Sequence, residues 1–189
     1  MINKNFITQL KKDYKKNEVE RRKIISLSNT VLHDSKRVIF ALHRDDKEKA
    51  ENSLKEIEKT LKKLEKDFGK IRLYQEGAYK AAVEEYAEAK SFFMIIQGKK
   101  INKFSEVNLT YESYLGGICD VAGELVRRAT NQASQKNFSE VEKMTKIVND
   151  IMAELVEFDM TGYLRNKYDQ ARGHLRKIEQ INYEVNIRQ

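Results

Sequence analysis

The sequence predicts an all-α protein, a single up-down bundle of about six or seven helices. The chain of 189 residues contains no proline and only eight glycines, so little in it would break a long helix. Apolar residues recur at spacings of three and four, and no segment alternates apolar and polar residues for long enough to form a strand. Without an internal repeat or a linker, residues 1–189 are expected to form one domain.

The first two helices are predicted from their apolar stripes and their end signals. The first runs from about Asn3 to His43, where apolar residues recur every seven positions. Its stripe comprises Ile24, Ile25, Val31, Leu32, Val38 and Ile39. Asp45-Asp46 opens the second helix, since acidic residues suit a helix N-terminus. That helix carries apolar residues at coiled-coil spacing up to Phe68, and Gly69 ends it.

Four further helices follow from the same periodicity. They are predicted at about Ile71–Gln97, at about Tyr111–Gln135, from a start near Ser139, and at about Thr161–Val185. Gly98 ends the third of the six helices, and residues 98–109 form the one convincing loop. Ser139 and Glu142 have the spacing of a capping box, which predicts the start of the fifth helix.

The composition indicates a basic protein. The formal charge is +7, which favours a polyanionic partner, although a lysine-rich helical protein also carries such a charge for solubility alone. The single cysteine, Cys119, forms no internal disulfide, and the apolar runs are only a few residues long. We therefore expect a cytoplasmic protein that is neither exported nor inserted in a membrane.

Two glutamates interrupt an apolar row on the predicted third helix. Advancing by three and four residues from Ala78 gives a row of small or apolar residues in which Glu85 and Glu88 are the exceptions. A desolvated charge is costly unless it is paired or bound to a metal. Glu85 and Glu88 lie one turn apart on one face, so they are predicted to share a divalent cation.

A second pair of acids, Asp120 and Glu124, lies one turn apart on the predicted fourth helix. A solvated helix face would account for both acids. It would not account for Gly116, Gly117 and Gly123 in the same helix, since each glycine costs roughly 0.5–1 kcal/mol relative to alanine. These glycines predict that another backbone, or a substrate, approaches the helix closely.

Carboxylates on two helices suit a hard cation such as Mg²⁺ or Mn²⁺, and they do not suit zinc. With such a metal the expected reaction is phosphodiester hydrolysis. The spacing leaves a second interpretation open. Carboxylate pairs arise often in a chain with 29 acidic residues, and they also serve as salt-bridge partners on helix surfaces.

Two segments of the C-terminal half resemble the translin family closely. Tyr114–Ile118 and its continuation Gly123–Arg127 look like the family's Tyr-Leu-x-Gly signature and Glu-Leu-x-Arg sequence. The run Leu164–Asp169, together with Ile187-Arg188, is similar to the family's C-terminal ending. The likeness extends over nearly the whole chain.

The resemblance implies a seven-helix bundle that assembles into hollow octamers and binds single-stranded RNA and DNA. The family has two branches, and the translin-associated factor X branch supplies the catalytic subunit of an Mg²⁺-dependent endoribonuclease. The acidic motif of that branch corresponds here to Glu85, Glu88 and Asp120 as metal ligands, with Glu124 as a further catalytic residue. Translin proper lacks the counterparts of Glu85 and Asp120, so the sequence is more similar to the catalytic branch.

The leading hypothesis is therefore a homo-oligomeric, metal-dependent endoribonuclease that acts on single-stranded RNA. The main alternative is a single-stranded RNA- or DNA-binding scaffold of the translin type without activity, whose acids form surface salt bridges. A third interpretation, a purely structural helical oligomer, predicts no salt-sensitive RNA binding.

Five basic residues are predicted to hold RNA because they lie off the apolar stripe of the first helix or near the start of the third. They are Arg21, Lys36, Arg37, Arg44 and Arg72. A chain of phosphates is held by several cations, and its affinity then falls steeply with salt. The alternative for each residue is an ordinary solvated helix face.

Overall fold

The computed structural model describes residues 1–187 and contains seven α-helices in this range. They are α1 Lys4–His43, α2 Lys47–Phe68, α3 Lys70–Leu73, α4 Gly77–Ile96, α5 Tyr111–Ser134, α6 Phe138–Leu155 and α7 Gly162–Asn186. No strand is present in residues 1–187, so the predicted all-α fold is confirmed. None of these helices is long and apolar enough to cross a membrane. Arg188, which belongs to the family-like ending, lies outside the described residues.

The helices form two groups that meet at α4 and α5. In the first group α1 packs against α2 and α4, and in the second α5 packs against α6 and α7. α4 packs against α5 and joins the two groups. Tyr79, Tyr86 and Phe92 of α4 are fully buried, so this helix contributes large side chains to the core. Acidic residues on α4 therefore face a crowded, largely apolar environment.

The predicted ends of the first two helices are confirmed. The Asn3 side chain caps α1 by accepting from two backbone N–H groups of the first turn. Asp46 Oδ1 accepts from Lys49 N at 3.1 Å at the start of α2. Gly69 ends α2 with φ +75°, a left-handed conformation that favours glycine.

The buried stripe of α1 lies one residue earlier than the centre of the predicted stripe. Ile24, Val31 and Val38 are fully buried, whereas Ile25 and Leu32 are half-buried. The stripe is completed by small serines at 28 and 35, which let neighbouring helices approach.

The prediction of one continuous helix over Ile71–Gln97 is wrong, because the chain breaks between α3 and α4. Glu76 has an extended backbone (φ −97°, ψ 121°), and it precedes Gly77, a residue type with low helix propensity. Arg72 fixes the break by donating to Glu76 Oε1 at 2.7 Å and to Asn17 Oδ1 of α1 at 3.2 Å.

The predicted capping box at Ser139 and Glu142 is also wrong. α6 begins at Phe138, so Ser139 lies inside the helix, and Asn137 occupies the N-cap position. The Asn137 amide donates to Gln132 Oε1 at 2.7 Å, which ties the start of α6 to the end of α5.

Candidate active site

The α4–α5 contact depends on two glycines of α5. A Cβ atom at Gly117 would lie 2.7 Å from the backbone N of Glu88 and 2.9 Å from the backbone O of Glu84. A Cβ atom at Gly116 would lie 2.6 Å from Glu84 Cδ. These distances are shorter than van der Waals contact, so only glycine allows the two helices to come this close. The prediction that another backbone approaches the mid-helix glycines is confirmed at Gly117, and the acids of α4 and α5 are thereby brought together.

Glu88 is a buried carboxylate on α4. The residue is 8% exposed, and within residues 1–187 no hydrogen bond or ion pair is recorded for Glu88 or Glu85. Burial raises the pKa of Glu88 to about 9, and the charges of Glu85, Asp120 and Glu124 add to this shift. Burial also raises the pKa of Glu85, although the charge of Lys36 acts in the opposite direction. The protein thus gathers four acids at one site, where burial and mutual repulsion disfavour the ionised forms of Glu85 and Glu88.

Asp120 is held by a lysine from α7. Lys167 Nζ donates to Asp120 Oδ2 at 2.5 Å and to Glu84 Oε1 at 2.9 Å, and Tyr163 Oη donates to the same Glu84 oxygen at 2.6 Å. Burial lowers the pKa of Lys167, but the hydrogen bonds to Asp120 and Glu84 outweigh burial and raise it above its usual range. The lysine is therefore charged and compensates two of the acids.

Glu124 has partners of its own. Its Oε2 contacts Nε2 of His43, whose side chain is 5% exposed and lies against the Phe92 ring, and Arg127 Nη1 is 3.6 Å away. Burial raises the pKa of Glu124, but the hydrogen bond with His43 outweighs it and the net shift is downward. Glu124 is therefore ionised, and its charge acts on Glu85 and Glu88.

As the side chains stand in residues 1–187, no three histidine, cysteine, aspartate or glutamate side chains converge closely enough to hold a metal ion. The chemistry of the donors nevertheless fits Mg²⁺ or Mn²⁺, which prefer carboxylate oxygens. Glu85 and Glu88 are partly desolvated carboxylates that form no ion pair in the described residues, and Lys167 contacts only the Oδ2 oxygen of Asp120.

The basic residues predicted to hold RNA have different partners in the structure. Arg21 and Arg72 both pair with Glu76, where they tie α1 to the break between α3 and α4. Lys36 is exposed, and its charge reaches Glu85.

Arg37 and Arg44 lie further along α1. The Arg37 side chain is 76% exposed and pairs with Asp34 of the same helix. The Arg44 guanidinium stacks on the Phe40 ring at 4.2 Å. Of the five basic residues, Lys36 is the one whose charge acts on the acidic site.

Sequence reasoning missed four residues that surround the acids, namely Glu84, Lys167, Tyr163 and His43. Lys167 and His43 come from α7 and α1, and no spacing along the chain reveals a contact between distant helices. Gly116 and Gly117 indicate that another helix lies close to α5, and Glu84 is one of the residues that they contact.

Glu84, Glu85, Asp120 and Lys167 line a cleft of about 1110 Å³, together with further charged residues, apolar residues and five aromatic side chains, whereas Glu88 and Glu124 do not line it. The fold and the cleft define a helical bundle with a ligand-sized, acid-lined cleft between its helices.

The profile of the translin family matches residues 19–189, so the chain belongs to the translin family. It is 33% identical to an uncharacterized protein of Methanocaldococcus jannaschii over 164 residues, which cover 83% of this chain and 72% of that protein. It is 23% identical to the translin-associated protein X homolog of Schizosaccharomyces pombe, with 90% and 82% of the two chains covered.

Solved structures share the fold. The apo-NeC3PO crystal structure is similar with a TM-score of 0.86 at 22% identity, covering 98% of each chain. The complex of AfC3PO with duplex RNA is similar with a TM-score of 0.86 at 23% identity, covering 97% of each chain. These similarities establish the translin-like helical fold of the chain.

Proposed function

We propose that the protein is a nucleic-acid-binding, metal-dependent endoribonuclease that cleaves single-stranded RNA. In this proposal Glu85, Glu88 and Asp120 hold Mg²⁺ or Mn²⁺, and the chains assemble into a hollow homo-octamer. Single-stranded DNA is a further expected ligand of the same assembly.

The observation that carries the proposal is the burial of Glu88 among other acids. Burying a carboxylate without a partner is unfavourable, and structural acids in a core are normally hydrogen-bonded or paired. Glu88 is 8% exposed and lies in the field of three other acids, yet no partner is recorded for it in the described part of the chain. A bound divalent cation would stabilise the ionised form of Glu88, which burial and the neighbouring acids disfavour in the metal-free protein.

The residues around the acids have separable roles in the proposed reaction. A divalent cation, when bound, supplies activated water and neutralises charge on the phosphate. Lys167 holds a positive charge beside Asp120 and Glu84, where it would contribute to binding a phosphate of the RNA. His43 keeps Glu124 ionised, and Glu124 thereby increases the negative field that attracts the cation.

Two of the similar proteins support a nucleic-acid-binding function. The chain is similar to a translin-associated protein X homolog and has the fold of AfC3PO, which was crystallised with duplex RNA. The resemblance assigns Glu85, Glu88 and Asp120 to the acidic motif of the catalytic branch, and of these Glu85 and Asp120 are the ones that translin proper lacks.

A chelator assay tests the proposal directly. Purified protein is expected to cleave a labelled single-stranded RNA in Mg²⁺ or Mn²⁺ and to stop in EDTA, with recovery when excess metal is restored. Products are resolved on a denaturing gel over a time course. Cleavage that continues unchanged in EDTA, after the protein has been stripped of metal, would contradict the metal-dependent mechanism.

A non-catalytic scaffold is the second candidate, and one observation favours it. Lys167 already pairs with Asp120 and Glu84, as in an ordinary salt-bridge cluster between helices. This candidate predicts salt-sensitive RNA binding without cleavage in any divalent metal, so the chelator assay separates the two.

The path of RNA is tested by reversing two adjacent charges on α1. Lys36→Glu is expected to weaken single-stranded RNA binding for all sequences alike and to lower the slope of log affinity against log salt by about one. The reason is that the Lys36 charge reaches the acidic site. Binding is measured by fluorescence anisotropy in EDTA across a salt series.

Arg37→Glu is the matched control, because it changes the net charge equally at a neighbouring position where Arg37 pairs with Asp34. It is expected to have the smaller effect. A larger loss with Arg37→Glu than with Lys36→Glu would place the RNA on the face of α1 that carries Arg37, about 100° from Lys36.

A further inference from the structure

The cleft beside the acids has an aromatic side that the proposed reaction does not use. Tyr163 at the start of α7, Phe158 before it and Tyr111 at the start of α5 all line the cleft. They are 59%, 52% and 70% exposed, although large aromatic side chains are normally placed where they lose contact with water. Three exposed rings that line one cleft indicate a surface that binds a flat apolar group.

Tyr163 connects this aromatic side to the acids. Its hydroxyl donates to Glu84 Oε1 at 2.6 Å, and its ring centroid lies 5.5 Å from Lys167 Nζ. The hydroxyl contact fixes one end of the side chain, so little side-chain entropy is lost when a ligand stacks on the ring. A ligand on Tyr163 is also adjacent to the lysine that bridges Glu84 and Asp120.

The chemistry of the cleft favours a nucleotide over an apolar protein surface. The cores of protein interfaces are depleted in charged residues, but here Glu84, Glu85, Asp120 and Lys167 line the same cleft as the aromatic rings. A nucleotide combines a flat base with a phosphate one sugar away. Its base suits the rings, and its phosphate suits Lys167, Lys80 and a cation held by the acids.

We propose that the cleft is a subsite for one unpaired nucleobase, which stacks on Tyr163 with Phe158 and Tyr111 as the neighbouring walls, next to the phosphate that is cleaved. This subsite rests on the proposed nuclease function and deepens it, because it explains a preference for unpaired RNA. A paired base presents no free face, whereas every unpaired base has one, so the subsite recognises single strands without reading sequence.

The test compares binding of two oligomers by the full-length protein in EDTA at low salt, so that cleavage does not interfere. One is labelled hexauridylate and the other is a ribose-phosphate hexamer without bases. The wild-type protein is expected to bind hexauridylate about tenfold more tightly, as one stacked base contributes. Tyr163→Leu is expected to remove most of this difference by weakening hexauridylate alone, and Tyr163→Phe to retain most of it.

Tyr183→Leu is the matched control, because Tyr183 lies on the same helix and is 65% exposed but does not line the cleft. The proposal is overturned if the wild type binds both oligomers alike, including binding neither, or if Tyr163→Leu weakens both equally. It is also overturned if Tyr163→Leu changes the oligomeric state in sedimentation while base dependence persists, since the cleft would then hold a second copy of the chain. Base-dependent binding without cleavage in Mg²⁺ would leave the subsite intact and reject the nuclease function instead.

Discussion

Replacing Glu88 with glutamine is expected to abolish RNA cleavage while making the metal-free protein more stable. Cleavage falls by at least about a hundredfold, because an amide is a poor ligand for a hard divalent cation. Stability rises because the substitution removes a carboxylate that is 8% exposed and lies in the field of Glu85, Asp120 and Glu124. The gain is about 1–2 kcal/mol, or roughly 2–8 °C in Tm for a chain of this size.

Glu58→Gln is the matched control for these two effects, the loss of cleavage and the gain in stability. It is also 8% exposed, but it accepts from Tyr86 Oη at 3.0 Å and from Lys90 Nζ at 2.7 Å. Glu58→Gln is therefore expected to lower Tm, because it removes a charge-assisted hydrogen bond and leaves Lys90 unpaired, while cleavage is retained. Nuclease assays and thermal melts in EDTA measure both outcomes. The assignment of Glu88 as a buried metal ligand would be wrong if the Glu88→Gln protein cleaved RNA normally or melted below the wild type in EDTA.

The effect of Glu88→Gln on stability is expected to depend on pH. The pKa of Glu88 is raised to about 9 in the folded protein, above the value of an unfolded glutamate near 4.5. Between pH 4.5 and about pH 9 the folded protein retains the Glu88 proton, whereas the unfolded chain has released it. The contribution of Glu88 to the free energy of unfolding therefore decreases as pH rises through this range. The stabilising effect of Glu88→Gln in EDTA is therefore expected to be small near pH 5 and largest near pH 9.

Much of the fold could be predicted from the sequence because helix signals are local. The apolar periodicity and the end signals at Asn3, Asp46 and Gly69 depend on residues within one or two turns, and these helix ends were predicted correctly. The break before Gly77 was missed, because it depends on an Arg72 contact with α1, more than fifty residues away in the chain. Contacts of this kind leave no periodic signal.

The acidic site could be predicted in part for the same reason. Glu85 and Glu88 stood out because they interrupt a helical row, and Asp120 and Glu124 because they lie one turn apart in a helix with three glycines, and the family resemblance then assigned Asp120 to the metal ligands. The pairing of Asp120 with Lys167 was not foreseeable, since it is set by how α5 and α7 pack. Spacing along the sequence could not indicate that the carboxylate of Asp120 is paired with a lysine.

Replacing Gly117 with alanine is expected to destabilise the protein strongly, although alanine is the better helix former. The added Cβ would lie 2.7 Å from Glu88 N, 2.9 Å from Glu84 O and 2.7 Å from Ala87 Cβ. None of these atoms belongs to a flexible side chain, so α4 and α5 have to separate. The expected cost is about 2–3 kcal/mol, which is roughly 5–10 °C in Tm.

Gly173→Ala on α7 is the control for this prediction. No atom lies within 4 Å of the position that its Cβ would take, so the gain in helix propensity, about 0.5–1 kcal/mol, is expected without a clash. Thermal or urea unfolding of both variants measures the difference. Because α4 carries Glu85 and Glu88 and α5 carries Asp120, separation of these helices should also reduce cleavage by Gly117→Ala well below its melting temperature. Equal stability of the two variants would show that α4 and α5 do not make the close backbone contact on which the acidic site depends.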